Sequence, residues 1–309
     1  MKVYFKPVEK KENNMKRSYS DKIFDSVNLI VMILLIVVFA WPLWFIVIAA
    51  ISDPDVVLNG EVFLFPRDIT FDGYKRLFEY KEIWVGYANS IFYTVVGTIF
   101  NMIMSICLAY PMSEKSFTPR KVLMPFFMFT MYFGGGLIPT YLLYRDIGIV
   151  NTRWAILLPG MVSVYNSLII RSFFMNSIPV ELKDSSKIDG ANAFQYLCKI
   201  VLPLSKPVFA VVGLYYMVAN WNNYTKALYY IYDDSMAPLQ MIVRRLIMSS
   251  KILADLATDT DPEMLEQLME QSQLMQYGVI IVAAIPVLCI YPFVQRYFVK
   301  GAMVGAVKG

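Results

Sequence analysis

The 309-residue chain is 57% hydrophobic and 15% aromatic, holds its charged residues to 17%, and carries a net charge of +4. That balance lies well outside a soluble domain, and the small, dispersed positive charge gives no footprint for nucleic acid. With no histidine the commonest proton carrier and metal ligand are missing; Cys107, Cys198 and Cys289 are scattered, reading as buried thiols and not a disulfide framework.

Residues 1–25 are polar and basic and read as a flexible tail, with the further option of binding acidic membrane lipid. The uncharged run from Ser26 to Ser52 is too long for a signal-peptide core and predicts a first membrane span. Residues 53–82 hold Pro54, Asn59, Gly60, Pro66 and Gly73, so a loop is expected, and Ile83 to Ser113 supplies a second span. After the basic loop Glu114–Lys121, Val122 to Tyr144 predicts span three; Gly134-Gly135-Gly136 predicts a break or close backbone approach within it. Trp154 to Ile170, only just long enough, predicts span four and contains Pro159-Gly160. Pro207 to Thr225 predicts span five, 226–270 a long polar excursion, and Gln271 to Gln295 span six. The reading is therefore an all-α polytopic membrane protein: tail 1–25, six spans over 26–295, and tail 296–309.

Placing the N-terminus in the cytoplasm puts 18 Lys and Arg in the inside segments (1–25, 114–121, 171–206, 296–309) against 10 in the outside loops. The positive-inside rule then sets both ends in the cytoplasm, with 171–206 on the same side and the 226–270 loop outside.

Segment 171–206 is the longest polar stretch in the second half that still reads as helix. Ser177 predicts an N-cap, Pro179 sits in the first turn, and Glu181 and Asp184 lie near the positive helix end. Ser185 and Ser186 are small enough for a close approach, and Gly190 stops the helix. Phe194, Leu197 and Val201 then recur as the apolar stripe of a second short helix. A helix–Gly–helix lying flat between two spans has the form of a lever.

Leu182, Asp184-Ser185-Ser186, Ile188-Asp189-Gly190-Ala191, Ile200, Leu202 and Pro203, with Pro179 and Glu181 ahead, resemble the coupling loop of binding-protein-dependent ABC importers. The departures are Asp for the family's Glu and two serines for its alanines, which preserve charge sign and size. Trp221-Asn222-Asn223-Tyr224, Pro238-Leu239-Gln240 and the C-terminal Tyr291-Pro292-Phe293 to Gly309 resemble the carbohydrate branch of the same family. The resemblance implies a six-helix ABC permease with a cytoplasmic coupling helix in a bacterial cell membrane. It implies as partners a second, non-identical permease, two cytoplasmic ATPase subunits using ATP and Mg, an extracytoplasmic solute-binding protein, and a carbohydrate substrate. Cofactors in this chain itself are expected to be none.

A sugar path needs aromatic faces and amides, which Trp221, Asn222, Asn223 and Tyr224 supply together; an interfacial aromatic belt explains the rings but not the paired amides. Asn101 is a lone intramembrane amide suited to bonding a neighbouring helix. No Walker-type loop, triad, metal cluster or paired intramembrane acid is visible, so catalysis is not expected. A secondary transporter or channel not driven by ATP is the competing class, and it calls for intramembrane charge or an inverted repeat.

Overall fold

The computed structural model describes residues 19–255, 275–290 and 292. Among them every regular element is helical, as expected. The tails before 19 and after 292, residues 256–274, and with them most of the acidic end of the excursion and the C-terminal motif, lie outside the described residues.

α1 (Tyr19–Ala49) begins seven residues earlier than the sequence pattern placed it, inside the expected tail. Its 31 residues reach about 46 Å at 1.5 Å each, more than the hydrocarbon thickness of a bilayer. None of its most apolar window is buried against the rest of the chain, so that surface faces lipid or another subunit. α2 (Pro54–Leu58) starts at Asp53, whose carboxylate accepts from Asp55 N at 3.0 Å. In α3 (Asp72–Glu79) Gly73 and Leu77 face inward, so the expected loop carries a short amphipathic helix. The Lys75 hydrogen bond holds the Asp72 carboxyl below its ordinary range.

α4 (Lys81–Ser113) is the central helix. Buried positions step by three or four residues through Gly86, Ser90, Thr94, Gly97, Asn101, Ser105 and Ala109, each of them small or polar. Small residues let neighbouring helices approach closely, which is how helices associate where lipid is as apolar as the side chains. A Cβ on Gly86 would stand 2.5 Å from Ile242, and one on Gly97 would stand 2.9 Å from the Asn220 amide.

The third expected span is broken where the glycines stand. α5 (Arg120–Tyr132) stops, Gly136 takes φ +84°, and α6 (Leu137–Asp146) leaves at 111°. The fourth is also discontinuous, against expectation. α7 (Trp154–Leu157) ends at the Pro159-Gly160 turn, and α8 (Val164–Ser177) runs past the expected end at Ile170. The second helix carries Arg171 within it because Arg171 Nε donates to the Met112 carbonyl at 2.9 Å, so a charge no longer forces a stop.

α9 (Val180–Ile188) and α10 (Ala193–Tyr196) follow; α10 runs through a π turn, Leu197–Val201, into α11 (Leu202–Leu204). The extra residue in the turn sits just before Pro203, whose missing N–H and ring are incompatible with regular pairing to residue 199. An 80° bend at Ser205 leads into α12 (Lys206–Trp221), then α13 (Thr225–Tyr230), α14 (Leu239–Asp255) and α15 (Met275–Ile290). α1 and α4 alone among the described helices are long and apolar enough to cross a membrane unbroken, and the two bent pairs bring the number to as many as four. All three cysteines are exposed and not buried, since Cys107, Cys198 and Cys289 lie off the packed faces of their segments.

Two cores flank α4. One gathers Leu77, Ile83, Tyr93, Trp221, Tyr230, Leu239 and Val279 around its N-terminal half; the other gathers Ala109, Ile170, Phe174, Tyr196, Val212 and Tyr216 around its C-terminal half.

Candidate functional site

The α9 segment is built by local chemistry. Pro179 disfavours helix at Ile178, so Ser177 closes α8 where an N-cap was expected, and Pro179 itself is the extended cap of α9. Glu181 falls in the first turn, where the helix dipole favours an acid. The C-terminus is a Schellman motif: Gly190 N donates to Lys187 O at 3.0 Å and Ala191 N to Ser186 O at 2.9 Å. Gly190 has φ +75°, the left-handed conformation the motif demands, and Asp189 is the C-cap. Asn192 and Gln195 then form a reciprocal capping box that starts α10 two residues later.

The faces of α9 divide clearly. Ser186 is buried and turned toward the chain, Leu182 and Ala191 are half-buried, and Glu181, Asp184, Ser185 and Asp189 are exposed. Ile188 is 87% exposed and Phe194 72% exposed, one on either side of Gly190 in the chain. Of the expected stripe on the second helix, only Val201 is buried; the capping box puts Phe194 in the first turn facing out. Pro203 is exposed on α11.

Contacts absent from the motif fix this segment to the end of α4. Lys183 Nζ pairs with the Glu114 carboxylate, and Tyr110 OH donates to Ala193 O at 3.1 Å. A cleft of about 400 Å³ lies between, lined by Tyr110, Glu114, Lys183, Ser186, Asn192 and Tyr196. Burial, with the Glu114 and Asp184 charges nearby, pushes the Tyr196 phenol up from its ordinary value.

At the other candidate site the four residues separate. Trp221 is 5% exposed, donates from Nε1 to Ala283 O at 3.1 Å and packs 6.0 Å from Tyr87, joining α12 to α15. Asn222 and Tyr224 are exposed, Arg244 lies 5.9 Å over the Tyr224 ring, and Asn223 Oδ1 accepts from Lys226 N at 3.2 Å.

Between the two sites, side chains serve the backbone of the broken 158–163 segment. Asn101 Nδ2 donates to Gly160 O (3.2 Å) and Met161 O (2.9 Å), and its oxygen accepts from Asn220 at 3.0 Å, as a lone intramembrane amide should. Tyr216 OH accepts from Ser163 N at 3.3 Å. Lys226 Nζ donates to Pro159 O at 2.5 Å and Ile156 O at 3.3 Å. Non-helical backbone at membrane depth needs such partners. Lys226→Met keeps the stem and removes the donor, so it is expected to destabilise the chain by about 1–3 kcal/mol, read as a lower midpoint in a denaturing-detergent titration.

Residues 83–302 match the family of binding-protein-dependent transport system inner membrane components. The chain belongs to this family. It is also similar along its length to individual proteins. Protein LplC of Bacillus subtilis is 35% identical over 297 residues, covering 96% of this chain and 99% of that one. The polygalacturonan/rhamnogalacturonan transport system permease protein YtcP of the same organism is 35% identical over 290 residues, 94% of this chain and 99% of its own. A crystal structure of a bacterial ABC transporter importing the acidic polysaccharide alginate contains a chain that superimposes with a TM-score of 0.80 at 32% identity. It covers 91% of this chain and 98% of that one. The family member described here is thus an all-helical integral-membrane component of a transport system.

Proposed function

We propose that this chain is one permease subunit of an ATP-driven, binding-protein-dependent importer of carbohydrate, specifically of an oligosaccharide. The observation that carries the reading is α9: a short helix closed by a Schellman turn, presenting Ile188 and Phe194 to solvent, in a chain that matches the family over 83–302. Likeness to a polygalacturonan/rhamnogalacturonan permease and to an importer of the polysaccharide alginate supports carbohydrate as the substrate class. The working assembly adds a second, non-identical permease, two cytoplasmic ATPases that use ATP and Mg, and an extracytoplasmic solute-binding protein. The chain is multi-pass in the bacterial cell membrane with both ends cytoplasmic, an orientation supported by the excess of basic residues in the inside segments.

ATP binding closes the ATPases, and α9, seated in their cleft through Pro179–Ala191, carries the motion. The spans then change from inward-open to outward-open, so the ATP-bound state must make contacts with α9 that the other state lacks. The loaded binding protein delivers sugar near Asn222, Asn223 and Tyr224, with Trp221 holding that corner to α15. Asn222→Ala or Tyr224→Ala is expected to lower uptake about tenfold, the equivalent of about 1.4 kcal/mol of lost contact, with assembly unchanged.

The test is to co-express the chain with candidate partner subunits, place the complex in nanodiscs, and assay ATP hydrolysis with and without the binding protein and a panel of oligosaccharides. Stimulation by one loaded binding protein is the expected result. A chain that purifies alone and moves solute without ATP is a channel or secondary transporter, and the proposal fails.

A further inference from the structure

We infer that α4 is the rod through which the α9 segment acts on the 235–239 turn at the far end of the molecule, and that Glu114 and Lys183 are the positioning pair that fastens it. The inference rests on the importer reading above and goes beyond it, because neither residue belongs to the family's coupling motif.

Both ends of α4 are fastened by side chains. At its C-terminal end Lys183 of α9 pairs with Glu114, both largely shielded from solvent. Arg171 of α8 donates to Met112 O at 2.9 Å, and Tyr110 donates to Ala193 O at 3.1 Å. At its N-terminal end Asn89 Nδ2 donates to Ser235 O (2.8 Å) and Ala237 O (3.1 Å). Tyr93 OH donates to Met236 O at 2.9 Å, and Ser90 Oγ accepts from Leu239 N at 2.8 Å. Asn89, Ser90 and Tyr93 are buried, so these bonds act where water does not compete.

Residues 89 and 114 are separated by about 38 Å of helix. α4 is continuous over that distance, with its one proline, Pro111, in the last turn. The other described routes away from α9 are interrupted: α8 ends at the 158–163 break, and α12 follows an 80° bend. A bend absorbs displacement, whereas an unbroken helix clamped at both ends carries it. Coupling of this kind requires an element that both sites bias, and α4 touches both.

The test uses the assembled importer in nanodiscs and reads assembly, basal ATP hydrolysis and hydrolysis stimulated by the loaded binding protein. Glu114→Lys alone is expected to cut the stimulation at least tenfold while assembly and basal hydrolysis persist, and Lys183→Glu alone is expected to cut the stimulation as far. The swapped pair, Glu114→Lys with Lys183→Glu, is expected to restore it to within about threefold, which lost packing alone would not permit. Asn89→Ala, or the milder Ser90→Ala where the first assembles poorly, is expected to lower stimulation in the same way. Combined with Glu114→Lys it should lose no more than the larger single change, since one rod can be disconnected only once. Single reversals with normal stimulation, a swap that does not restore it, or losses that multiply would each overturn the rod. If the unaltered chain does not assemble with an ATPase, the importer reading itself fails and takes the rod with it.

Discussion

Gly190→Pro is expected to abolish transport while the chain still inserts in the membrane at its normal level. The residue holds φ +75°, whereas proline fixes φ near −65°, so the two backbones cannot coincide. Proline also removes the N–H that donates to Lys187 O at 3.0 Å and displaces the neighbouring bond from Ala191 N to Ser186 O. The chain then leaves α9 in another direction, and the capping box at Asn192 and Gln195 no longer starts α10 beside Tyr110. Packing is not the cause, because a Cβ at Gly190 would meet nothing within 4 Å. Gly190→Asn, which tolerates the left-handed region, should therefore retain most of the activity, and Gly190→Ala should fall between, with a strain of about 1–2 kcal/mol. Substrate-stimulated ATP hydrolysis in nanodiscs orders the three variants, with the proline form lower by about a hundredfold. Equal hydrolysis in all three would show that the turn does not carry the motion. Glu181→Lys with Asp184→Lys tests the exposed acids of the same helix, and loss of stimulation with normal insertion is again expected.

What the sequence made legible is what lies close together along it. Three adjacent glycines announced the break after Tyr132, and Gly190 announced the end of α9, because in each case a backbone conformation needs glycine at that position. The small polar face of α4 and the role of Asn101 follow from helical spacing and from the cost of an unpaired amide in lipid. Pairing across distance was not legible. Glu114 and Lys183 stand 69 positions apart, and neither is unusual in its own surroundings. Arg171 looked like the end of a span because a charge in lipid is costly, yet Met112 O takes its Nε–H and the helix continues to Ser177. Trp221 looked like part of a sugar-facing cluster with its neighbours, but its indole is claimed by Ala283, 62 residues further along. Pro159-Gly160 was visible within span four, but the full interruption depends on donors from Asn101 and Lys226 and an acceptor at Tyr216, each on another helix. Phe194 matched an apolar stripe by spacing, while the capping box two residues before it set the direction it faces.

Ile188→Ala with Phe194→Ala is expected to strip the ATPases from the complex without unfolding this chain. Both side chains are largely exposed, so truncating them removes little packing from the fold. Exposed apolar residues are common here, and those on α1 form an unbroken uncharged run suited to lipid. Ile188 and Phe194 differ: they stand among Asp184, Lys187, Asp189 and Gln195, where a bilayer interior would leave charges unpaired. Large exposed apolar side chains flanked in the chain by polar ones suit the centre of a protein-binding surface. With about 2 kcal/mol for each truncated anchor, the double variant loses about 4 kcal/mol, close to a thousandfold in affinity. Co-purification in detergent reads this directly, with a melting curve of the permease pair as the control for folding. Changes of the same size at Leu34 and Ile36 on α1 should leave the ATPases bound, because that face meets lipid or the second permease. If instead the double variant keeps its ATPases and its coupling, the docking contact lies on the charged face of α9, and Glu181 and Asp184, not the apolar pair, hold the ATPase.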